Sequence, residues 1–220
     1  MADEFVQCKE AGMSIIDPSR MFVLKILEYS FYSIVDFGCG FGCHVAEFSN
    51  AGREATGVDV VFTPDALTEA EAMGYTLVKG SWEQLPDEHY DVGFSHHCLE
   101  HARDPISWLH EWGKKIKPGG KLFLAVPAYV EDMVLAGHIS IGFNPSQLAY
   151  MLAVAGWDCK KAKIENVDGN IFAIVDRPQQ MVLHDTHVFG FGEAGYFLPE
   201  SLVGEVEGVK FTGDPEKVFP

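Results

Sequence analysis

The stretch that decides the fold runs from residue 33 to residue 44 and reads Ser33-Ile34-Val35-Asp36-Phe37-Gly38-Cys39-Gly40-Phe41-Gly42-Cys43-His44. An apolar run ends in an acid, three glycines follow at a spacing of two, and residues at helical spacing come next. This pattern predicts a buried strand, a tight turn and the start of a helix. Glycines let the backbone take positive φ and let a ligand come close, and a helix N-terminus offers free N–H groups. The stretch therefore indicates a site for a nucleotide-like ligand.

Strand-like and helix-like segments alternate on both sides of this stretch. The predicted strands cover residues 33–37, 54–58, 75–78, 90–94 and 121–126, and an antiparallel hairpin covers 157–164 and 170–175. The predicted helices cover residues 43–49, 63–73, 105–116 and 144–155. Such alternation is typical of βαβ units and a parallel sheet. We therefore expect an α/β fold with a doubly wound, mostly parallel seven-stranded sheet, Rossmann-like, that ends in an antiparallel C-terminal hairpin.

A further helix is predicted before the first strand. Asp17 is placed to cap it, with Pro18 at its first position. Its predicted apolar face consists of Met21, Leu24, Leu27 and Phe31, widened by Val23 and Ile26. Residues 1–176 are predicted to form one domain, with residues 1–32 as an N-terminal helical segment. Residues 177–220 lack a regular pattern and are predicted to be an irregular extension packed on that domain.

Composition and charge exclude several classes of function. The chain has 220 residues, 47% of them hydrophobic, which is enough for one sizeable core. Its net charge of −16, with no compensating basic patch, disfavours a nucleic-acid partner. The five cysteines are scattered, which favours free thiols in a reducing compartment. With no signal-peptide pattern and no membrane-length apolar run, we expect a cytoplasmic protein without a membrane partner. The oligomeric state is not defined by the sequence.

The glycine spacing restricts the class of ligand that the loop is expected to bind. A dinucleotide fingerprint reads Gly-x-Gly-x-x-Gly, and Cys43 stands where its third glycine belongs. Asp36, just before the glycines, would repel a pyrophosphate but suits a cationic or amino-acid-bearing ligand. Asp59 lies 21 residues after Gly38 at the end of the second predicted strand, where a carboxylate can accept hydrogen bonds from both hydroxyls of a ribose. Taken alone, Asp59 is also an ordinary turn residue at a strand end.

Several motifs together resemble one family. Residues 35–42 closely resemble the first motif of class I S-adenosylmethionine-dependent methyltransferases, in their small-molecule branch. Gly57-Val58-Asp59 is similar to the ribose-binding strand end of that family, and residues 80–86 are similar to its adenine loop. Residues 90–92 with Leu99-Glu100-His101 resemble its fourth-strand motif, and residues 117–120 resemble the turn before its fifth strand. The resemblance covers about residues 30 to 175 and leaves the tail aside.

The resemblance implies S-adenosyl-L-methionine as the cofactor and transfer of its methyl group to a small-molecule or pendant acceptor. Asp36 would then lie near the methionine end of the cofactor, and Asp59 would hold its ribose. The implied cofactor-binding residues are Asp36, Gly38, Gly40, Phe41, Gly42, Asp59, Val60, Ser81, Trp82 and Ser95. Family members more often carry an acid where Ser81 stands, so Trp82 would stack on the adenine or pack instead.

Histidines past the fourth predicted strand are the candidates for acceptor chemistry. The resemblance places His96, Tyr129 and His138 toward the acceptor, and His97 is the candidate general base. The alternative for His97 is a cleft histidine that only packs. His97, Glu100 and His101 also match an inverted zinc-protease pattern. Because that pattern has three fixed residues and follows a buried strand, no metal is predicted here.

Two other functions remain open at the level of sequence. A nicotinamide-dependent oxidoreductase, using NAD(P), would have the same kind of fold, although Cys43 in place of the third glycine counts against this function. A non-catalytic nucleoside-binding module would keep the glycine loop and Asp59 without transferring a group. Binding of the sulfonium cofactor and turnover on an acceptor separate the three possibilities.

Overall fold

A computed structural model of the chain describes residues 18–62, 64–129, 137–140 and 142–184. The strands in these residues are β1 (Ser33–Phe37), β2 (Glu54–Asp59), β3 (Thr76–Lys79), β4 (Tyr90–His96), β5 (Ile116–Pro127), β6 (Asp158–Val167) and β7 (Asn170–Asp176). The α-helices are α1 (Pro18–Leu27), α2 (Cys43–Asn50), α3 (Pro64–Met73), α4 (Pro105–Lys115) and α5 (Pro145–Val154). Two short 3₁₀ turns, Trp82–Gln84 and Leu99–His101, follow β3 and β4.

The strands form one seven-stranded sheet in the order β3-β2-β1-β4-β5-β7-β6. Strands β1 to β5 pair in parallel, whereas β7 runs antiparallel to β5 and to β6. This arrangement confirms the predicted fold class, including the hairpin at the sheet edge. The winding changes direction between β1 and β4, and open α/β sheets bind ligands beyond the carboxyl ends of the strands at such a point.

Helices cover both faces of the sheet, so the protein has two apolar cores. One core packs α1, α2 and α3 against the sheet through residues that include Phe22, Ile26, Val45, Phe48 and Ala70. The opposite core packs α4 and α5 through residues that include Leu109, Trp112, Leu148, Leu152 and Trp157. Side chains of β1 alternate between the two, with Ile34 in the first core and Val35 and Phe37 in the second. The sheet is therefore buried on both faces, as expected for parallel strands.

The predicted apolar face of α1 is right at Val23, Ile26 and Phe31 and wrong at Met21 and Leu24. Met21 and Leu24 are 55% and 50% exposed, whereas Phe22, Val23 and Ile26 are buried. The Phe22 ring packs against the rings of three sheet phenylalanines, Phe94, Phe123 and Phe172. Two overlapping sets of apolar residues have helical spacing in α1. The aromatic contacts of Phe22 determine which set faces the sheet. The predicted cap Asp17 lies outside the described residues.

Two strand boundaries differ from the prediction in ways that affect the site. Strand β4 continues to His96, so Ser95 and His96 belong to the strand and not to the loop after it. Strand β5 begins at Ile116, and the predicted turn at residues 118–120 is a bulge within it. The register shows the bulge, since Tyr90 pairs with Ile116 and Val92 with Lys121. The remaining predicted elements agree with the structure to within a few residues.

The described cysteines do not all match the expectation of free thiols. Cys39, Cys98 and Cys159 are free, but Cys43 is disulfide-bonded. Within the described residues, no helix is long and apolar enough to cross a membrane. The predicted extension is described only for residues 177–184, which carry no regular secondary structure. The predicted domain boundary at residue 176 stays a prediction.

Candidate functional site

The glycine loop between β1 and α2 takes the backbone conformations that its sequence predicts. Gly38, Gly40 and Gly42 have φ of +76°, +53° and +81°, a region that favours glycine. Gly38 has a second constraint, because a Cβ added to it would lie 2.2 Å from the Cys98 sulfur. Gly42 is the N-cap of α2 and turns the chain into the helix. The loop thus carries the main chain over the carboxyl end of β1.

Asp59 fastens this loop to the end of β2. Its Oδ2 accepts a hydrogen bond from the Gly40 N–H at 2.8 Å, and its Oδ1 accepts one from the Val61 N–H at 3.2 Å. The Asp59 carbonyl accepts a further bond from the Gly80 N–H at 2.9 Å. Asp59 therefore joins the three loops that follow β1, β2 and β3. Each carboxylate oxygen accepts one bond and keeps capacity for another.

Asp36 lies beneath the loop in an unusual state for a carboxyl group. It is 2% exposed, and neither of its oxygens has a hydrogen-bond partner within the described structure. Burial, and then the nearby charge of Asp59, raises the pKa of Asp36 well above its ordinary value. Burial also raises the pKa of the Cys98 thiol to about 12 and that of Cys39 still further, so neither is a thiolate nucleophile. Among the described residues, no positive side chain is paired with Asp36.

The loop after β3 brings Ser81 and Trp82 to the same edge of the sheet. The Ser81 hydroxyl donates to Glu83 Oε2 at 3.2 Å. The half-buried Trp82 ring packs edge-to-face on Trp108 and Trp112, with centroids 4.7 and 5.9 Å apart. The Trp82 ring is thus held against α4. This contact favours a packing role for Trp82 over stacking on the adenine. Three exposed side chains on this edge are apolar, with Phe41 68%, Val60 69% and Val61 71% exposed.

Ser95 and His96 are more deeply placed than the sequence suggested. Ser95 is fully buried, and its hydroxyl donates to the Phe37 carbonyl at 2.8 Å, which ties β4 to β1. Its predicted contact with the cofactor stays a prediction, but its hydroxyl has a structural partner. Burial, followed by the proximity of His44 and His97, lowers the pKa of His96 to about 3. His96 is therefore a neutral imidazole at physiological pH.

His97 occupies a strained position just after β4. Its φ is +52°, a conformation that non-glycine residues rarely adopt. Its Nε2 lies 2.7 Å from Asn170 Oδ1 and donates to it, because an amide oxygen only accepts. Its Nδ1 lies 3.4 Å from Glu100 Oε1. Both ring nitrogens face oxygen atoms of the protein, so the structure holds His97 in one orientation.

The 3₁₀ turn after β4 and the segment 137–140 bring His138 next to Glu100. The Glu100 carbonyl accepts hydrogen bonds from the N–H groups of Ile139 and Ser140 at 2.9 and 3.0 Å. The His101 and His138 rings are perpendicular, with centroids 4.9 Å apart. Tyr129 is 55% exposed after β5, and its N–H donates to the Phe143 carbonyl at 2.8 Å. The structure thus places the His96 ring beside that of His97, and it brings both His97 and His138 close to Glu100.

Sequence reasoning assigned no role here to Cys98 and Asn170, and it named Glu100 only as part of motifs, without predicting its burial. Cys98 lies against Gly38, Asn170 holds His97, and Glu100 is completely buried among histidines. Asn170 has no local signal, since it comes from the edge hairpin 73 residues further along the chain. For Glu100, the signal available in the sequence was an acid directly before a histidine.

The geometry agrees with what comparisons with known proteins find. Residues 35–124 match a family model described as a methyltransferase domain. In structure, the chain is similar to a 1,6-didemethyltoxoflavin-N1-methyltransferase from Burkholderia thailandensis, with a TM-score of 0.62, 19% identity, and 80% of this chain and 86% of that chain covered. It is also similar to phosphoethanolamine N-methyltransferase 2 from Haemonchus contortus, with a TM-score of 0.61, 16% identity, and coverage of 73% and 52%.

The family match covers residues 35–124, and the structural likeness at these identities shows that the chain shares the fold of these methyltransferases. Among curated proteins, the chain is 32% identical over 120 residues to the ubiquinone biosynthesis O-methyltransferase of Hydrogenovibrio crunogenus. That match covers 50% of this chain and 49% of the relative. The same enzyme of Salmonella enteritidis is 29% identical over 99 residues, which cover 42% of this chain and 41% of the relative. The chain therefore spans about half the length, or less, of the curated relatives it matches.

Proposed function

We propose that the protein is an S-adenosylmethionine-dependent methyltransferase that acts on a small-molecule or pendant acceptor. The observation that carries this proposal is the buried Asp36 carboxyl, which has no hydrogen-bond partner among the described residues and lies beneath a glycine loop held by Asp59. A buried carboxylate calls for a positive partner. A sulfonium nucleoside with an amino-acid tail brings positive charge and ribose hydroxyls together, and so matches both acids.

The residues around the loop fit this cofactor in charge and in polarity. Asp59 has acceptor capacity left for ribose hydroxyls after binding the N–H groups of Gly40 and Val61. The exposed apolar side chains of Phe41, Val60 and Val61 border the same edge and would cover apolar parts of the ligand. A nicotinamide dinucleotide fits less well, because its pyrophosphate would have to lie near Asp36 and Asp59.

The chain's own contribution to the reaction is alignment and exclusion of water. S-adenosylmethionine, when bound, supplies a methyl group already activated on a positively charged sulfur. The protein then has to hold the acceptor atom in line with that methyl group and keep water out. His96 is neutral and half-buried, so it suits a packing or hydrogen-bonding role on the acceptor side.

His97 remains the candidate base, with a specific obstacle. Its Nε2 donates to Asn170, and its Nδ1 faces Glu100. To accept a proton at Nε2, it would first have to lose the Asn170 contact. If His97 only positions the loop, His97→Ala should lower turnover without changing its pH profile. If it is the base, the acidic limb of the turnover profile should disappear in that variant.

Oxygen is the acceptor atom we favour. The curated relatives that match by sequence carry the name O-methyltransferase, which makes a hydroxyl group the first choice. The two structural neighbours above are N-methyltransferases at under 20% identity, so they support the fold more than the acceptor. We also propose that the protein does not bind nucleic acid, which its net charge of −16 supports.

Methyl transfer is tested by incubating the protein with S-adenosylmethionine labelled on the methyl group and panels of phenols, alcohols and amines. We expect label in a phenol or alcohol and loss of that transfer in Asp59→Asn. Label appearing only in amines would contradict the oxygen assignment. Cofactor binding without transfer to any panel would favour a non-catalytic module.

A further inference from the structure

Glu100 is a second buried carboxylate that the proposed methyl transfer does not use. It lies in the 3₁₀ turn Leu99–His101, its side chain is fully buried, and neither carboxylate oxygen has a hydrogen-bond partner within the described residues. The nitrogen recorded nearest to it is His97 Nδ1, 3.4 Å from Oε1. A buried carboxylate is normally paired with a cation or with several hydrogen bonds. Glu100 therefore needs a positive partner that its hydrogen bonds do not provide.

Two further histidines converge on this carboxylate. One carboxylate oxygen of Glu100 and one ring nitrogen each of His101 and His138 all lie within 4.8 Å of one another. The placement of His138 is not accidental, because the N–H groups of Ile139 and Ser140 both donate to the Glu100 carbonyl. One oxygen and two imidazole nitrogens are a donor set that zinc and its neighbouring divalent metals prefer.

The hydrogen bonds around the cluster set the imidazoles for binding a cation. His101 Nδ1 donates to the Gly137 carbonyl at 2.9 Å, which leaves its Nε2 as a lone-pair ligand. Metal-bound histidines characteristically donate their other ring N–H to a carbonyl or carboxylate in this way. His97 donates through Nε2 to Asn170, so in its neutral form its Nδ1 presents a lone pair to Glu100. A cation bound at the Glu100 carboxylate would reduce the repulsion between this carboxylate and the lone pair of His97 Nδ1.

We propose that Glu100, His101 and His138 bind one divalent transition-metal ion of the zinc class. The ion would have open coordination positions on the side of the exposed His101 and the half-buried His138. Ligand atoms around tetrahedral zinc are about 3.3 Å apart, so the proposal requires the three side chains to move closer together when the ion binds. The sequence pattern alone led us to expect no metal here; the buried carboxylate and the return of His138 are structural observations. The proposal goes beyond methyl transfer and does not depend on it.

The test is metal binding to the full chain. Protein freed of metal with a chelator is titrated with ZnCl₂ by calorimetry and with CoCl₂ by visible absorption, which reports nitrogen and oxygen coordination. We expect one ion per chain. His138→Asn and Glu100→Gln should each weaken binding about tenfold or more, in line with the effect of disturbing a metal shell. His89→Asn, at an exposed histidine outside the cluster, is the matched control and should bind like the parent chain.

Three results would overturn the proposal: no binding, several weak sites, or equal binding by the parent chain and by His138→Asn. The last would mean that Glu100 serves as the counter-ion of a protonated His97. Circular dichroism on each variant checks the fold, and His138→Asn keeps the test open should Glu100→Gln not fold. A parallel titration with S-adenosylhomocysteine separates the two proposals, since metal binding without nucleoside binding would contradict only the methyltransferase assignment.

Discussion

Asp36 illustrates how one side chain connects stability with binding in this protein. Its pKa is raised by burial and by Asp59, so ionising it in the free protein is unfavourable. The folded state then binds more protons than the unfolded state at pH values between the ordinary carboxyl pKa and the raised one. Stability from this group is therefore present at low pH and falls as pH rises through that window. A cationic ligand reverses the preference, because it favours the ionised form.

The first prediction is that Asp36→Asn separates these two effects. The variant should have a higher Tm than the parent chain at neutral pH, because it buries no ionisable group at this position. It should bind S-adenosylmethionine more weakly, by about 1.5–3 kcal/mol, the scale of a hydrogen bond to a charged group. Thermal melts and calorimetric titration measure the two quantities. A lower Tm with unchanged affinity would remove Asp36 from the site.

The same residue predicts a pH dependence of binding. In the parent chain, the affinity for S-adenosylmethionine should rise as pH increases through the raised pKa of Asp36, because only the ionised carboxyl attracts the cation. In Asp36→Asn this rise should be absent. Titrations over a series of pH values above the ordinary carboxyl pKa check the slope. An identical slope in both proteins would assign the dependence to another group.

Asp59 gives the next prediction at this scale. Asp59→Asn should weaken cofactor binding by about 1–3 kcal/mol through the loss of a charge-assisted acceptor. Part of the loss will come from the loop, since Asp59 also binds the Gly40 N–H. The matched control is Glu54→Gln, an exposed acid at the opposite end of the same strand. Calorimetry with S-adenosylhomocysteine should find the control unchanged, and equal losses in both variants would point to net charge instead.

The role of single residues could be predicted where the chemistry is local. Asp36, the three glycines and Asp59 are close in sequence or at a fixed strand end, so spacing predicts that they lie together, and their binding roles stay predictions. Asn170 and Glu100 could not be found that way. Asn170 reaches His97 because β7 pairs with β5, a contact that depends on the whole sheet. Glu100 becomes significant only when its burial and the nearby His138 are known.

At the scale of elements, the glycine loop allows a comparison between two of its own positions. Gly38 and Gly40 both have positive φ, so alanine is strained at either, by about 1–2 kcal/mol. A Cβ at Gly38 would also clash with Cys98, whereas a Cβ at Gly40 meets nothing within 4 Å. Gly38→Ala should therefore cost more stability than Gly40→Ala in urea unfolding. Equal losses would mean that backbone strain alone sets the glycine requirement.

Elements with strong end signals were predicted well, and those without them were not. Asp104 and Asn144 cap α4 and α5 through side-chain hydrogen bonds, as their sequences indicate. The face of α1 was partly wrong because Phe22, which joins the phenylalanines of the sheet, was left out of the predicted stripe. The start of β5 was wrong because its glycines form a bulge in a continuing strand. In both cases tertiary contacts override the local pattern.

At the scale of the whole molecule, Arg177 ties the end of β7 to the far side of the sheet. It is 4% exposed and donates to the carbonyls of Gly113, Pro178 and Gln179 and to Glu88 Oε1. Lysine cannot reproduce this planar set of donors. Arg177→Lys should lower the free energy of unfolding by about 1–3 kcal/mol. The exposed Arg103→Lys should leave it unchanged, and a similar loss in both would show that the contacts contribute little.

The order of the strands explains why the candidate site residues from several loops lie at one place in the molecule. The carboxyl ends of β1, β2, β3 and β4 meet beside the point where the winding reverses, and Asp36, Asp59, Ser81 and His96 lie at these ends. Alternation of strands and helices along the sequence was sufficient to predict this meeting point. The alternation does not predict the identity of the acceptor. It also makes no prediction for the residues beyond 184.

The central claim is that the site binds a sulfonium nucleoside, and calorimetry tests it directly. The chain is titrated with S-adenosylmethionine, S-adenosylhomocysteine and NADH under the same conditions. The structure leads us to expect binding of the first two at one molecule per chain and no binding of NADH. Binding of NADH in preference to S-adenosylmethionine, or no binding of either sulfur nucleoside, would contradict the account.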